Sequence, residues 1–311
     1  LNCLKPVELV THESVQRRGG GFSTCGCWYT DTEFVLKGLQ IMCGIAGFVN
    51  DMPIDVKCPV LQRMTDMIAH RGPDSEGHYI DEHAALGHRR LSIIDLGGGQ
   101  QPIYNEDGSK VITFNGEIYN YQTLREELIA AGHTFTTKSD TEVLLHGYEQ
   151  WGVDLLQRVR GMFTFVIWDK NKQELFGARD HFGIKPFYYA KMNGTFMYAS
   201  EIKSLLRHPD FVKELNAEAL KPYMTFQYPA IGETFFKGVY KLPEGHYFTY
   251  RDGKMDIHRY YDEDFREGKQ KLGELVNSID QTVCDSVKAH QIADVEVGSF
   301  LSSGVDSSYV A

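Results

Sequence analysis

Residues 42–49 read Met42-Cys43-Gly44-Ile45-Ala46-Gly47-Phe48-Val49, an apolar run that opens on a cysteine and a glycine. Ile45 to Val49 reads as a strand. None of the nine methionines precedes Met42, which points to a start of synthesis there. Residues 1–41 look different: they begin with Leu1 and carry Arg17-Arg18-Gly19-Gly20-Gly21 and Cys25-Gly26-Cys27 without helical or alternating periodicity. Residues 1–42 are therefore expected to be an extension absent from the mature protein. Cys25 and Cys27 lack the spacer of a zinc knuckle and no second ligand pair follows, so no metal is expected there. With Met42 removed, Cys43 carries both a thiol and the chain's α-amino group, whose ordinary pKa values are about 8.5 and about 7.7–8.0. A neutral α-amine within hydrogen-bond reach takes the thiol proton and returns it to a departing amine, so one residue supplies nucleophile and base. The alternative is a small buried hydrophobe at a strand start.

Outward from this strand the pattern is layered. Met64, Met67 and Ile68 share a helical face leading into His70-Arg71-Gly72-Pro73-Asp74. Leu91 to Ile94 and Val111 to Phe114 read as short strands, separated by Gly97-Gly98-Gly99 and the turn Asn105-Glu106-Asp107-Gly108. Tyr121, Leu124, Leu128 and Ala131 line one helix face, which Gly132 ends in the left-handed conformation. Ser139-Asp140-Thr141-Glu142 reads as a capping box before a second helix through Val143, Leu144 and Tyr148. Met162 to Trp168 is the near-continuous apolar run of a strand buried on both faces. Leu175 to Ala178, Pro186 to Ala190 and Thr195 to Ala199 continue the strand series. Strands, two helices, then strands again predict an α+β domain with helices packed on antiparallel sheets.

At 311 residues the chain has room for two or three domains of about 100–200 residues each. Acidic residues outnumber basic ones 42 to 32 for a net charge of −10, which argues against a nucleic-acid partner. No apolar run approaches the ~18 residues of a transmembrane helix, so no membrane partner is expected. Six cysteines are too sparse for a disulfide framework, which places the chain in a reducing, cytoplasmic compartment. Asp262 to Lys271 is a charged linker, and Leu272 to Ala289 has a helical apolar stripe. Val295 to Leu301 then reads as a strand running into Ser302-Ser303-Gly304-Val305-Asp306-Ser307-Ser308. The expected division is residues 43–260 as one domain and 261–311 as the beginning of a second, α/β one.

Several segments around Cys43 carry chemistry, each with a plainer reading beside it. Arg90, in Arg90-Leu91-Ser92-Ile93-Ile94-Asp95, offers a guanidinium for a bidentate pair with a carboxylate, or a surface salt bridge. Asn115-Gly116, before Glu117-Ile118-Tyr119-Asn120, sets a side-chain amide beside a glycine N–H on a turn. That pair suits an oxyanion hole, or only a hairpin. Asp140 holds a substrate ammonium or complements the helix dipole. The serine-rich turn at 302–308 cradles a pyrophosphate with backbone N–H groups and hydroxyls, or is a capped turn.

Together, Cys43-Gly-Ile-Ala-Gly-Phe, His70-Arg-Gly-Pro-Asp, Arg90-Leu-Ser-Ile-Ile-Asp, Asn115-Gly-Glu-Ile-Tyr-Asn, Ser139-Asp-Thr-Glu and Arg179-Asp-His-Phe-Gly-Ile-Lys-Pro resemble the glutamine-hydrolysing asparagine synthetases, in family order, over residues 43 to about 250. The resemblance implies an N-terminal-nucleophile αββα sandwich followed by the start of an ATP-pyrophosphatase-type domain. It implies Cys43 as nucleophile with Asn115 and Gly116 as oxyanion donors. Glutamine would be held by Arg90, Leu91, Ser92, Ile93, Ile94, Asn115, Gly116, Glu117 and Asp140. ATP, a substrate used with Mg2+, would be held by Leu301, Ser302, Ser303, Gly304, Asp306, Ser307 and Ser308. Ser303 stands where the family pattern has a glycine. No resident metal or organic cofactor is expected in the glutaminase domain. The implied substrates are glutamine, aspartate and ATP, and a homodimer is the expected assembly. Two other readings share the sandwich: an amidotransferase with another acceptor, and a non-catalytic binding protein should Cys43 stay within a peptide bond.

Overall fold

The computed structural model describes residues 43–228 and 232–311; the expected extension, with Cys25 and Cys27, lies outside the described residues. Strand β1 (Gly44–Val49) is followed by helix α1 (Ile54–Asp66), β2 (Ser75–Ile80), β3 (Ala84–Arg90), β4 (Ile103–Tyr104) and β5 (Lys110–Ile118). Helices α2 (Tyr121–Ala130) and α3 (Asp140–Trp151) come next. After them run β6 (Gly161–Asp169), β7 (Glu174–Arg179), β8 (Tyr188–Met192), β9 (Thr195–Ala199), α4 (Ile202–Leu205) and α5 (Ala217–Phe226). The series ends with β10 (Val239–Lys241), β11 (His246–Arg251), β12 (Lys254–Arg259), α6 (Leu272–His290) and α7 (Val305–Val310).

The strands form two six-stranded sheets, ordered β10-β8-β9-β1-β3-β2 and β12-β11-β7-β6-β5-β4. β1 lies inside the first, antiparallel to β3 with Ile45 opposite His88 and to β9 with Ala46 opposite Ala199. The second is built on the long β5–β6 pair, which sets Phe114 opposite Phe165 and Gly116 opposite Phe163. Along β6 alternate side chains enter different cores, because successive residues of a strand point to opposite faces. Val166 and Trp168 meet Phe196, Tyr198 and Phe248 between the sheets. Phe165 and Ile167 face outward beneath Leu144 and Leu145 of α3 and Leu124 and Leu128 of α2. On the far side, Val60, Leu61 and Met64 of α1 cover Ala46, Phe48 and Ala85. The result is the expected αββα sandwich, and burial on both faces explains the apolar run from Met162 to Trp168.

Some local expectations fail, each for a physical reason. Leu91 to Ile94 is not a strand: β3 ends at Arg90, whose guanidinium draws the carbonyls of Ile94, Asp95 and Leu96 around itself at 3.1, 2.6 and 3.3 Å. Ser139 caps α3 by accepting from Thr141 N–H at 3.2 Å. The reciprocal half of the capping box is missing, because Glu142 accepts instead from the N–H groups of Thr136 and Thr137, both at 2.7 Å. Gly132 does take the left-handed conformation after α2, at φ +103°.

Val295 to Leu301 is extended but not a strand; among the described residues it has no partner strand to satisfy its backbone. Leu272, Leu275, Val276 and Ile279 form the apolar stripe of α6 and stay exposed. α6 and the segment after it touch the sandwich at Ser286, which accepts from Arg160 at 3.2 Å, at the His290 ring, 4.2 Å from that of Tyr119, and at Asp294. Asp294 donates its N–H to Ile93 O at 2.9 Å and accepts the Asp95 N–H at 2.7 Å. Among the described residues no helix is long and apolar enough to cross a membrane.

Phe248 sits fully buried between the sheets against Phe187 and Phe196, at ring distances of 5.5 and 5.6 Å. Phe248→Ala is expected to cost about 3–5 kcal/mol in urea unfolding. A loss below about 1 kcal/mol would mean that the two sheets do not depend on this shared core.

Candidate active site

Cys43 stands immediately before β1, where the chain enters the first sheet. Its Sγ lies against the Leu91 peptide, donating to the carbonyl at 3.5 Å and accepting the N–H at 3.4 Å. Arg71 donates from Nε to Cys43 O at 3.0 Å and from a terminal nitrogen to Glu201 at 3.2 Å, fixing the backbone of the cysteine. Burial pushes the thiol above its ordinary pKa; the Leu91 N–H and the charges of Lys185 and Arg90 work the other way, while Asp140 adds to the rise.

The thiol opens onto a cavity of about 80 Å³ between the ends of the two sheets. Its walls bring together Cys43, Arg90, Leu91, Ile93, Ile94, Asn115, Gly116, Glu117 and Asp140, drawn from β3, β5, α3 and the loop after β3. Ser92, though inside that stretch, is not among them; its N–H turns away to Asp74 Oδ2 at 2.8 Å. The serine-rich stretch 301–308 lies outside this cavity.

Asn115 and Gly116 are not on a turn. They sit within β5, opposite Thr164 and Phe163. Just before them, Gln101 occupies the strand edge: its Oε1 accepts the Phe114 N–H at 2.6 Å and its amide donates to Phe114 O at 3.1 Å. Backbone groups two residues apart point to the same side of a strand, so the Gly116 N–H faces that edge as well. A Cβ on Gly116 would meet Met162 O at 2.2 Å, so only glycine fits against β6. The Asn115 side chain is fully buried, and neither its Nδ2 nor its Oδ1 has a hydrogen-bond partner among the described residues. Leaving a buried amide unmade costs about 1–3 kcal/mol, a penalty that a ligand in the cavity would remove.

At the other end of the cavity, Asp140 is the first residue of α3. Its Oδ2 accepts the Ile118 N–H at 3.0 Å, and Ser139 Oγ lies 3.4 Å from its Oδ1. Burial, and then the charge of Glu117, raise its pKa to about 7. Burial raises that of Glu117 too, against the charge of Lys185. Two desolvated carboxyls in one cavity suit a cationic group. Arg90 is only 5% exposed, and its guanidinium is the centre of the loop it organises. It lines the cavity as the anchor of the 94–96 carbonyls.

Lys185 was not singled out in the sequence, although it lies within the Arg179–Pro186 motif. It is 2% exposed and lines the cavity; burial lowers its pKa to about 8, while the charges of Glu117 and Cys43 hold it up. The motif's other members build its position. Asp180 accepts the N–H groups of Ile184 and Lys185 at 2.8 and 2.9 Å, and buried Arg179 donates to Lys185 O at 2.8 Å. A lysine after a turn carries no mark of burial in the sequence; the signal was the Arg179–Asp180 pair.

Because its folded-state pKa of about 7 lies above the ordinary 3.8, Asp140 binds its proton more tightly in the folded chain than in the unfolded one. The corresponding stability is fully present below about pH 4 and is lost as the pH rises toward 7. Asp140→Asn should therefore be more stable than the native chain by a margin that grows over that window, to a few kcal/mol at most. Urea melts at successive pH values check this; a margin independent of pH would show that the carboxyl is not desolvated.

Comparison with known proteins bears on the same residues. A family model described as glutamine amidotransferase domain matches residues 42–261, and one described as asparagine synthase matches residues 278–311. Asparagine synthetase [glutamine-hydrolyzing] 1 of Bacillus subtilis is 45% identical over 273 residues, covering 86% of this chain and 43% of that protein. Asparagine synthetase [glutamine-hydrolyzing] 2 of the same organism is 41% identical, covering 87% of this chain and 38% of that protein. The chain thus spans less than half the length of these relatives. Among solved structures, glutamine phosphoribosylpyrophosphate amidotransferase from B. subtilis, complexed with ADP and GMP, aligns with a TM-score of 0.54 at 18% identity. The alignment covers 71% of this chain and 50% of that one, a likeness of fold. With the match running through the whole sandwich and its cavity, the chain belongs to the glutamine amidotransferase domain family.

Proposed function

We propose that the sandwich hydrolyses the side-chain amide of glutamine to glutamate and ammonia, as the glutaminase part of a glutamine-dependent asparagine synthetase. The observation that carries this reading is the buried, unpartnered Asn115 amide on the same cavity as the Cys43 thiol. Sγ attacks the amide carbon, and the oxygen that becomes negative is met by Asn115 Nδ2 and the Gly116 N–H. Collapse of the tetrahedral intermediate breaks the C–N bond and releases ammonia, leaving a thioester at Cys43. Water then hydrolyses the thioester to glutamate. The proton leaves the thiol and reaches the departing nitrogen through the α-amine of Cys43, which requires that the working chain begin at Cys43. Asp140 and Glu117 hold the substrate ammonium. Arg90 serves the α-carboxylate both by its charge and by fixing the loop wall behind it.

The acceptor reading rests on the asparagine synthase match over residues 278–311 and on the named relatives. Ammonia would amidate aspartate activated by ATP, with the release of AMP and pyrophosphate. The stretch 302–308 has the right donors for pyrophosphate oxygens: exposed backbone N–H groups and the hydroxyls of Ser302 and Ser307, 3.0 Å apart. Mg2+ would be held chiefly by phosphate oxygens and supplies charge neutralisation when bound. Ser303 lies at φ +63°, in the left-handed region where glycine is at ease, so the serine found here adopts the glycine conformation at some backbone cost. The work belongs to the cytoplasm, where these substrates are found.

Steady-state glutaminase assays with intact-mass measurement of the active material test this reading. Active protein should have a mass beginning at Cys43, and Cys43→Ala should abolish turnover. Asn115→Ala should lower kcat by about 100- to 1,000-fold with a much smaller change in KM. Active protein that still carries residues before Cys43, or a loss below about threefold in Asn115→Ala, would overturn the assigned roles.

A further inference from the structure

Where α3 meets the β4–β5 turn, away from the cavity, two histidines and two glutamates converge from three separate elements. His146 and Glu149 lie one turn apart on α3, His133 follows α2, and Glu106 comes from the turn between β4 and β5. One ligand-type atom from each of the four lies within 4.8 Å of the others. We propose that this cluster is a metal site for a four-coordinate divalent transition ion such as zinc, tying α3 to the α2–α3 connection and to the β4–β5 turn.

The potential ligand atoms approach one another closely. His146 Nδ1 lies 3.2 Å from Glu149 Oε2 and 3.4 Å from Glu106 Oε2, and His133 Nδ1 lies 3.6 Å from Glu106 Oε1. A tetrahedral ion with bonds of about 2.0–2.2 Å to nitrogen and oxygen sets its ligand atoms about 3.3–3.6 Å apart, and the four ligand-type atoms, all within 4.8 Å of one another, need only a small contraction to reach it. The donor set, two imidazoles and two carboxylates, suits zinc better than calcium or magnesium.

The groups behind the ligands form a second, independent observation. Metal-binding imidazoles usually have their other ring nitrogen held by a polar neighbour, which fixes tautomer and orientation. Here His133 Nε2 is 3.2 Å from Gln150 Oε1, while His146 Nε2, fully buried, faces Glu142 Oε1 at 3.5 Å without closing a hydrogen bond to it. Glu142 is itself anchored by the Thr136 and Thr137 peptides. Asn105 takes Glu149 Oε1 at 2.7 Å, with Lys110 3.4 Å from the same atom, which leaves Oε2 toward His146. Glu106 Oε1 accepts the Thr134 N–H at 3.1 Å.

The test is cobalt(II) titration of the full chain after treatment with a chelator. One equivalent should bind with the intense visible bands of four-coordinate cobalt and without the near-ultraviolet band of sulfur ligation. Zinc should displace it and raise the melting temperature by about 5–10 °C at a free concentration near 100 times Kd. His133→Asn, a change in a surface connection, should abolish the four-coordinate spectrum. Glu142→Gln, a positioning residue, should weaken affinity by about 10- to 100-fold while keeping the spectrum. No cobalt uptake, a sulfur-to-cobalt band, or a spectrum unchanged in His133→Asn would each overturn the site.

Discussion

The peptide of Phe114 is the point on which the two sheets and the cavity both depend. Its carbonyl lies 2.9 Å from His88 Nε2 on β3 of the first sheet, and Gln101 takes both its N–H and its carbonyl. His88 is wholly buried and its pKa is pushed down to about 3, so it is neutral and donates from Nε2. This clasp has two effects. It joins β3 to β5 across the sandwich, and it closes the β5 edge with a side chain where a strand would otherwise continue. Beyond that side chain the edge is free of strand pairing, so Asn115 and Gly116 present donors to a cavity.

Burial then sets the chemistry. Desolvation raises the pKa values of the Cys43 thiol and of the Asp140 and Glu117 carboxyls, and lowers that of the Lys185 ammonium. All four groups are driven toward their neutral forms in one cavity, and the charges of Lys185 and Glu117 oppose that drift in each other.

Much of this was legible in the sequence, and the parts that were not share a cause. Cys43, Asn115-Gly116, Glu117 and Asp140 are marked by residue type beside glycine or a helix start, and such marks survive without coordinates. The alternation that sends Val166 and Phe165 into different cores was readable as a doubly buried strand. What stayed hidden depends on where side chains turn. Ser92 sits between cavity-lining neighbours yet faces Asp74. Leu91 to Ile94 looks like a strand but is wound around Arg90. Glu142 has capping-box spacing but is claimed by two peptides upstream. His133 and Glu106 meet α3 only through tertiary folding, so no spacing in the chain announces them.

Asp294 has a consequence of its own. Its amide and carboxylate grip Ile93 and Asp95, within the loop whose other surface walls the cavity, and it lies only eight residues ahead of Ser302. Arg90 holds the same loop from inside. That short length of backbone is thus held from two sides, by Arg90 within and by Asp294 without. Pulling Asp294 away would hand two backbone groups, the Ile93 carbonyl and the Asp95 N–H, back to solvent.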